Sequence, residues 1–121
     1  MRPSYYPIVI NQGDDWSLEI TWKNSDGNLV DLTGYSAKMQ IRKIPSDSIA
    51  LITLTDVSGI VLGGVAGTIV ISIDNTDTSG IPSTPPDDSQ LWVYDLELTS
   101  PATLVKKLLR GSVKVNAEVT R

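Results

Sequence analysis

The sequence predicts an all-β protein: a single immunoglobulin-like antiparallel β-sandwich of seven to eight strands with one short helical turn. Three observations lead there. Apolar and polar residues alternate with a period of two over most of the chain, as in strands that bury one face. Turn signals built on Gly, Pro, Asp and Asn recur about every 8–12 residues. No stretch of about ten residues carries a helical period. At 121 residues the chain fits one domain. Folding a chain of this size removes roughly two-thirds of its unfolded surface from water, enough for a core without covalent staples.

The elements follow in order. The head "MRPSYYP" lies outside the alternation, and residues 1–7 are expected to form an arm that reaches a neighbour, with the β-sandwich domain spanning 8–121. In "QGDDWSLEITWK" (12–23), Trp16, Leu18, Ile20 and Trp22 alternate with Ser17, Glu19, Thr21 and Lys23, which predicts a strand with those four residues inward. Asp26-Gly27 is a turn signal. Ala37, Met39 and Ile41 alternate with Lys38, Gln40 and Arg42 in a second strand. "KIPSDS" (43–48) interrupts the pattern, "IALITLT" (49–55) resumes it, and "IVL" (60–62) follows as a short strand. "GGVAG" (63–67) turns into 68–73, where Ile69, Ile71 and Ile73 share a face. "DNTDTSGIP" (74–82) offers an N-cap and a Gly-Pro stop, which predicts the helical turn. After the polar loop 83–90, Trp92, Tyr94, Leu96 and Leu98 point inward, and "SPAT" (100–103) closes a hairpin. If Thr99 faces Leu104, Glu97 faces Lys106 on the outer side, a pair worth roughly 0.2–1 kcal/mol. Lys107 then falls on the inward parity and Leu108 on the outward, so a bulge or an exposed end is expected there. The tail "VNAEVTR" is expected to extend the last strand.

Composition narrows the chemistry. The chain has no cysteine, which removes disulfides, thiolate metal sites and cysteine nucleophiles. It has no histidine, which removes the commonest general base and zinc ligand together. A non-enzyme without cofactors is expected. The formal net charge of −4 and the lack of a basic stripe make a poor nucleic-acid binder. No apolar run approaches the ~20 residues of a membrane span, and the N-terminus lacks the apolar region of a signal peptide. The chain therefore reads as a complete soluble protein folded in a cytoplasm. Its charge is uneven. Residues 74–99 hold Asp74, Asp77, Asp87, Asp88, Asp95 and Glu97 and no base, whereas 101–121 hold Lys106, Lys107, Arg110, Lys114 and Arg121 against Glu118. That asymmetry would suit head-to-tail contacts between copies, or neutralisation inside one subunit.

The candidate sites are few. Asp14, Asp15 and Glu19 form an acidic trio, but adjacent strand residues point to opposite faces, so Asp14 and Asp15 cannot both face one substrate. A carboxylate hydrolase would rest on Asp14, Asp15, Asp87 and Asp88 alone. "NSDGN" and "DNTDTSG" resemble acidic cation loops without matching the calcium-loop spacing; a weak surface cation site is the residual reading. "GGVAG" lacks the Lys-Ser/Thr ending of a phosphate loop and reads as a turn. Trp16, Trp22, Trp92 and Tyr94 share inward parities and read as core. Tyr5 and Tyr6, between Pro3 and Pro7, suit an interface or a cover for a sheet end. Trp92, beside the 83–90 loop, is the residue best placed for recognition. Tyr5, Tyr6 and Trp92 are the candidate interface residues; no catalytic, cofactor or metal residue is assigned.

The succession "QGDDWSLEITWKNSDGNLVDLTGYSAKMQIRK", "GIVLGGVAGTIVISI", "WVYDLELTSP" and "LLRGSVKVNAEVTR" resembles small proteins of tailed-bacteriophage and prophage structural gene clusters. It is similar to the immunoglobulin-like N-terminal domain of phage baseplate upper proteins, from Ile8 to Arg121, most tellingly in "VDLTGYSAKMQIR" and "VYDLELT". The resemblance implies a virion-associated structural protein, assembled in the bacterial host cytoplasm. Its expected role is tail, baseplate or fibre adaptor, or capsid or neck decoration. Its expected partners are itself, as a symmetric homo-oligomer, and a neighbouring virion protein, with no nucleic acid and no membrane. A carbohydrate- or cell-surface-binding β-sandwich is the alternative, and it requires exposed tryptophan.

Overall fold

The protein is described by a computed structural model over residues 4–119. The chain is all-β, with two sheets that share one apolar core. Nine strands occur among the described residues: β1 (Ser4–Tyr5), β2 (Ile8–Asn11), β3 (Trp16–Thr21), β4 (Ser36–Arg42), β5 (Ile52–Thr55), β6 (Ile60–Leu62), β7 (Thr68–Ile73), β8 (Trp92–Thr99) and β9 (Val105–Asn116). One helical turn, α1 (Asn75–Ser79), follows β7, and a 3₁₀ turn spans Gly64–Ala66. The larger sheet runs β1-β9-β8-β4-β5, with β2 continuing β1 along the same edge of β9. The smaller sheet runs β3-β7-β6.

Alternation explains most of these elements. On β7, Ile69, Ile71 and Ile73 are all but fully buried, and on β8 Trp92, Tyr94, Leu96 and Leu98 are buried while the residues between them are not. Removing an isoleucine side chain from water contributes about 1.5–3 kcal/mol, so the three β7 isoleucines, with Ile60 of β6, do most to anchor the smaller sheet on the larger. Ala37, Met39 and Ile41 of β4 complete the facing layer. α1 begins where expected: Asp74 is extended and its side chain accepts a hydrogen bond from the Asp77 amide at 2.9 Å. Gly80 follows as its C-cap. The Asp26-Gly27 turn holds Gly27 at φ +82°, where a side chain is disfavoured. The Asn24 carboxamide oxygen accepts from the amides of Asp26 and Asn28 inside that turn.

Four expectations need correction. The sheets are not purely antiparallel: β1 and β2 run parallel to β9, with Ser4 opposite Leu109 and Ile8 opposite Val113. Ser4 and Tyr5 of the expected arm thus pair with the chain's own last strand; residues 1–3 lie outside the described residues. Pro7 has no amide to donate, and it separates β1 from β2. Second, the 49–55 run forms strand only from Ile52. Third, the hairpin register is one residue off: Thr99 faces Val105, and Glu97 faces Lys107, not Lys106. The loop causes this: five residues, 100–104, separate the paired Thr99 and Val105, with the Ser100 amide donating to the Leu104 carbonyl at 2.9 Å. Between Leu96 and Glu97 the register shifts, because Leu108 is an extra residue in β9. Loop and bulge together put Lys107 outward and Leu109 inward. They also turn Lys106 toward the inner side, where its ammonium lies 5.6 Å from the Trp22 ring centre. Fourth, Trp16, Leu18, Ile20 and Trp22 are half-buried, because β3 is an edge strand of the smaller sheet. At the tail, β9 ends at Asn116, and residues 117–119 are not strand.

Besides its ladder to β9, the edge formed by β1 and β2 contains one closely packed point. The Tyr6 amide donates to the Arg110 carbonyl at 2.8 Å, and the Tyr94 hydroxyl donates to the Tyr6 carbonyl at 2.6 Å. Gly111 lies opposite Tyr94, directly beneath the Tyr6 carbonyl. A Cβ at Gly111 would collide with the Tyr6 carbonyl oxygen and stand 2.8 Å from its carbon. Glycine is required here by close approach of another backbone.

Candidate functional site

Strand alternation fixes what the larger sheet shows to solvent. While Met39, Leu96 and Leu109 face the core, Lys38, Gln40 and Arg42 of β4, Val93, Asp95 and Glu97 of β8, and Lys107, Arg110 and Ser112 of β9 face out. With Tyr5 of β1 and Pro45 they line an open groove of about 790 Å³ on the outer face of this sheet. No second layer covers it among the described residues.

The groove carries four cations and two carboxylates. Lys107 takes up both carboxylates, at 3.0 Å from Asp95 and 2.7 Å from Glu97. Its hydrogen bond to Glu97 is the main cause that holds the ammonium above the ordinary lysine range; partial burial opposes this, and Asp95 adds to it. Lys38, Arg42 and Arg110 make no ion pair among the described residues. The Arg42 guanidinium donates to the Asp47 carbonyl and to the Gln40 carboxamide oxygen. The groove is therefore locally positive on a chain whose net charge is −4.

Of the candidate interface residues, Tyr5 is 65% exposed at the groove rim, and its hydroxyl donates to the Ser112 hydroxyl at 3.3 Å. Tyr6 is 44% exposed and contributes its backbone to the Gly111 contact. Trp92 is a correction: only 6% of it is exposed, and its indole N–H donates to the Pro82 carbonyl at 2.8 Å. Lys43 further covers it, with its ammonium 5.6 Å from the ring centre. Trp92 belongs to the core and offers no platform to a ligand. Nearby, burial first, and then Tyr6 and Tyr5, push the Tyr94 phenol above its ordinary range.

The acidic candidates are brought to one end of the molecule. Asp15 accepts from the Asn75 amide at 2.8 Å and from its side chain at 3.0 Å, while the Asp14 carbonyl accepts from Thr78 at 2.8 Å. Gly13 and Asp14 share a hollow with Glu118. Asp14, Asp15, Asp74, Asp77 and Glu118 thus surround α1 and the end of β9. They do not converge: no group of three or more carboxylates close enough to hold a metal occurs among the described residues. Asp87 and Asp88 lie elsewhere, Asp88 pairing with Lys114 at 2.7 Å. Glu19 faces solvent on β3.

Sequence reasoning did not single out Lys38, Arg42 and Arg110. Their outward parity was readable for β4, but the side-by-side placement of β4, β8 and β9 is a tertiary fact. No protein-family model matches this chain, and no curated protein is significantly similar to it.

Proposed function

We propose that this chain is a non-enzymatic structural protein of a tailed-phage or prophage particle that acts by protein–protein assembly, as a tail, baseplate or fibre adaptor or as a capsid or neck decoration. The observation that carries the reading is the outer face of the larger sheet. Four adjacent strands, β4, β8, β9 and β1, present arginines, lysines, carboxylates and one exposed tyrosine on a shallow groove. Tyrosine and arginine are enriched at protein interfaces, and interspersed charges fix register between partners. The similarity of "VDLTGYSAKMQIR" and "VYDLELT" to the baseplate upper protein domain supports the particle setting.

The same reading takes the two sheets as immunoglobulin-like. The order β3-β7-β6 corresponds to strands B, E and D of that fold, and β9-β8-β4 to G, F and C, with β5 placed as C′. The departure is at the first strand, which joins β9 and leaves β3 as an edge. The carbohydrate-binding alternative is weakened by the burial of Trp92. Density-gradient separation of particles induced from a host carrying this coding sequence tests the proposal. The protein is expected to band with the particles; recovery only in the soluble fraction would overturn it.

A further inference from the structure

Two patches of opposite charge occupy different parts of one subunit. The groove on the larger sheet presents Lys38, Arg42 and Arg110 without ion-pair partners among the described residues. The end around α1 presents Asp14, Asp15, Asp74 and Asp77 exposed to solvent, with Glu118 half-buried beside them, and none of these five is in an ion pair among the described residues. The acidic end is formed by the start of β3, the end of β7 and the end of β9, so it cannot fold back onto the outer face of its own sheet.

We infer that the α1 end of one copy docks into the groove of a second copy, giving a head-to-tail contact. This rests on the assembly reading above and names its partner and both of its faces. Charge complementarity is the argument. Two molecules that each carry −4 repel at long range, but at about 0.1 M salt that repulsion is screened beyond about 10 Å, whereas pairs in contact are screened much less. The remaining groove carboxylates, Asp95 and Glu97, are already held by Lys107, so an incoming carboxylate meets the unpaired cations. Tyr5 at the rim supplies the apolar contact that charge pairs lack. Because the two patches differ, the contact is heterologous: it extends into a filament or closes into a ring, according to the rotation between copies.

A charge exchange tests it. Lys38→Glu with Arg110→Glu reverses the groove, and Asp14→Lys with Asp77→Lys reverses the end. None of these four side chains has a structural hydrogen bond among the described residues, and the Asp74 cap is kept. In sedimentation at about 0.1 M salt, the unaltered chain is expected to associate, and each variant alone to lose at least about tenfold in association. An equimolar mixture of the two is expected to regain it, since each then meets an opposite charge; that recovery also shows both are folded. A monomeric parent, unaffected variants, or a mixture that stays dissociated would each overturn the inference. An associating parent with unaffected variants leaves the assembly proposal standing. A salt-sensitive self-contact in a protein absent from particles removes only that proposal. A groove protected in particles while the free chain stays monomeric assigns the groove to another virion protein and overturns the self-contact.

Discussion

Replacing Gly111 by alanine should detach the N-terminal strand from β9. The new methyl group would enter the space of the Tyr6 carbonyl and stand 3.2 Å from the Tyr94 ring. The aromatic carbon can give by a few tenths of an ångström, but the Tyr6 backbone is pinned by its bonds to Arg110 and Tyr94. Overpacking of this kind costs about 1–3 kcal/mol. Displacing Tyr6 forfeits two hydrogen bonds, each worth about 0.5–1.5 kcal/mol. A total loss of about 2–6 kcal/mol is expected from urea unfolding, a large part of the stability of a domain this size. The decisive comparison is the same substitution in a chain that begins at Ile8. There the Tyr6 carbonyl is gone, and Gly111→Ala should cost less than about 0.5 kcal/mol, giving a coupling of at least about 1.5 kcal/mol in the double-mutant cycle. Equal losses in both backgrounds would refute the close approach and, with it, the placement of β1 on β9.

Ile71→Ala, at the centre of β7 and fully buried, should lower stability by about 2–5 kcal/mol in urea unfolding; a loss under about 1 kcal/mol would mean that the smaller sheet does not close the core. Asp74→Ala removes the cap of α1 and should cost about 1 kcal/mol, read as a fall in thermal midpoint of a few degrees. Both Tyr94 and Lys107 have folded-state pKa values raised above their unfolded ones. Their contributions are therefore fully present below about pH 10 and are lost as pH rises through the folded values. Stability should fall from about pH 10 upward. Tyr94→Phe should flatten that fall, and a spectrophotometric titration should show one fewer phenol ionising with unfolding.

Where the sequence was informative, it was so through local periodicity. β4, β7 and β8 lie across the middle of their sheets and bury one whole face, so Met39, Ile71 and Leu96 fall where alternation puts them. The same rule overstated β3, whose edge position leaves Trp16 and Trp22 half exposed. Edge or centre is decided by which strands pair, and pairing is not local. The β8–β9 hairpin shows a second limit: the conflict at Lys107 and Leu108 signalled a bulge, but the register on its turn side is set by a loop one residue longer than the Ser-Pro-Ala-Thr signal suggested. The N-terminal strand carried a signal, since Ile8 and Ile10 alternate with Val9 and Asn11 and are buried. Its partner is more than a hundred residues away and parallel, which no turn predicts. The groove was half legible. Parity gave its outward residues strand by strand, whereas its cationic character depends on Lys107 drawing off both carboxylates across a register the bulge had shifted. Trp92 was legible as core from its parity, and its position beside a polar loop, which suggested recognition, is explained by the bond that ties its indole to Pro82.

Lysine labelling of purified particles tests most directly the claim that the outer face of the larger sheet is an assembly surface. Lys38 lies in the groove, and Lys23 lies at the end of β3 on the other sheet; both are exposed in the free chain. The protein is expected in the particles, with Lys38 protected there several-fold relative to the free chain and Lys23 labelled as before. Equal labelling of Lys38 in both states, or absence of the protein from the particles, would contradict it.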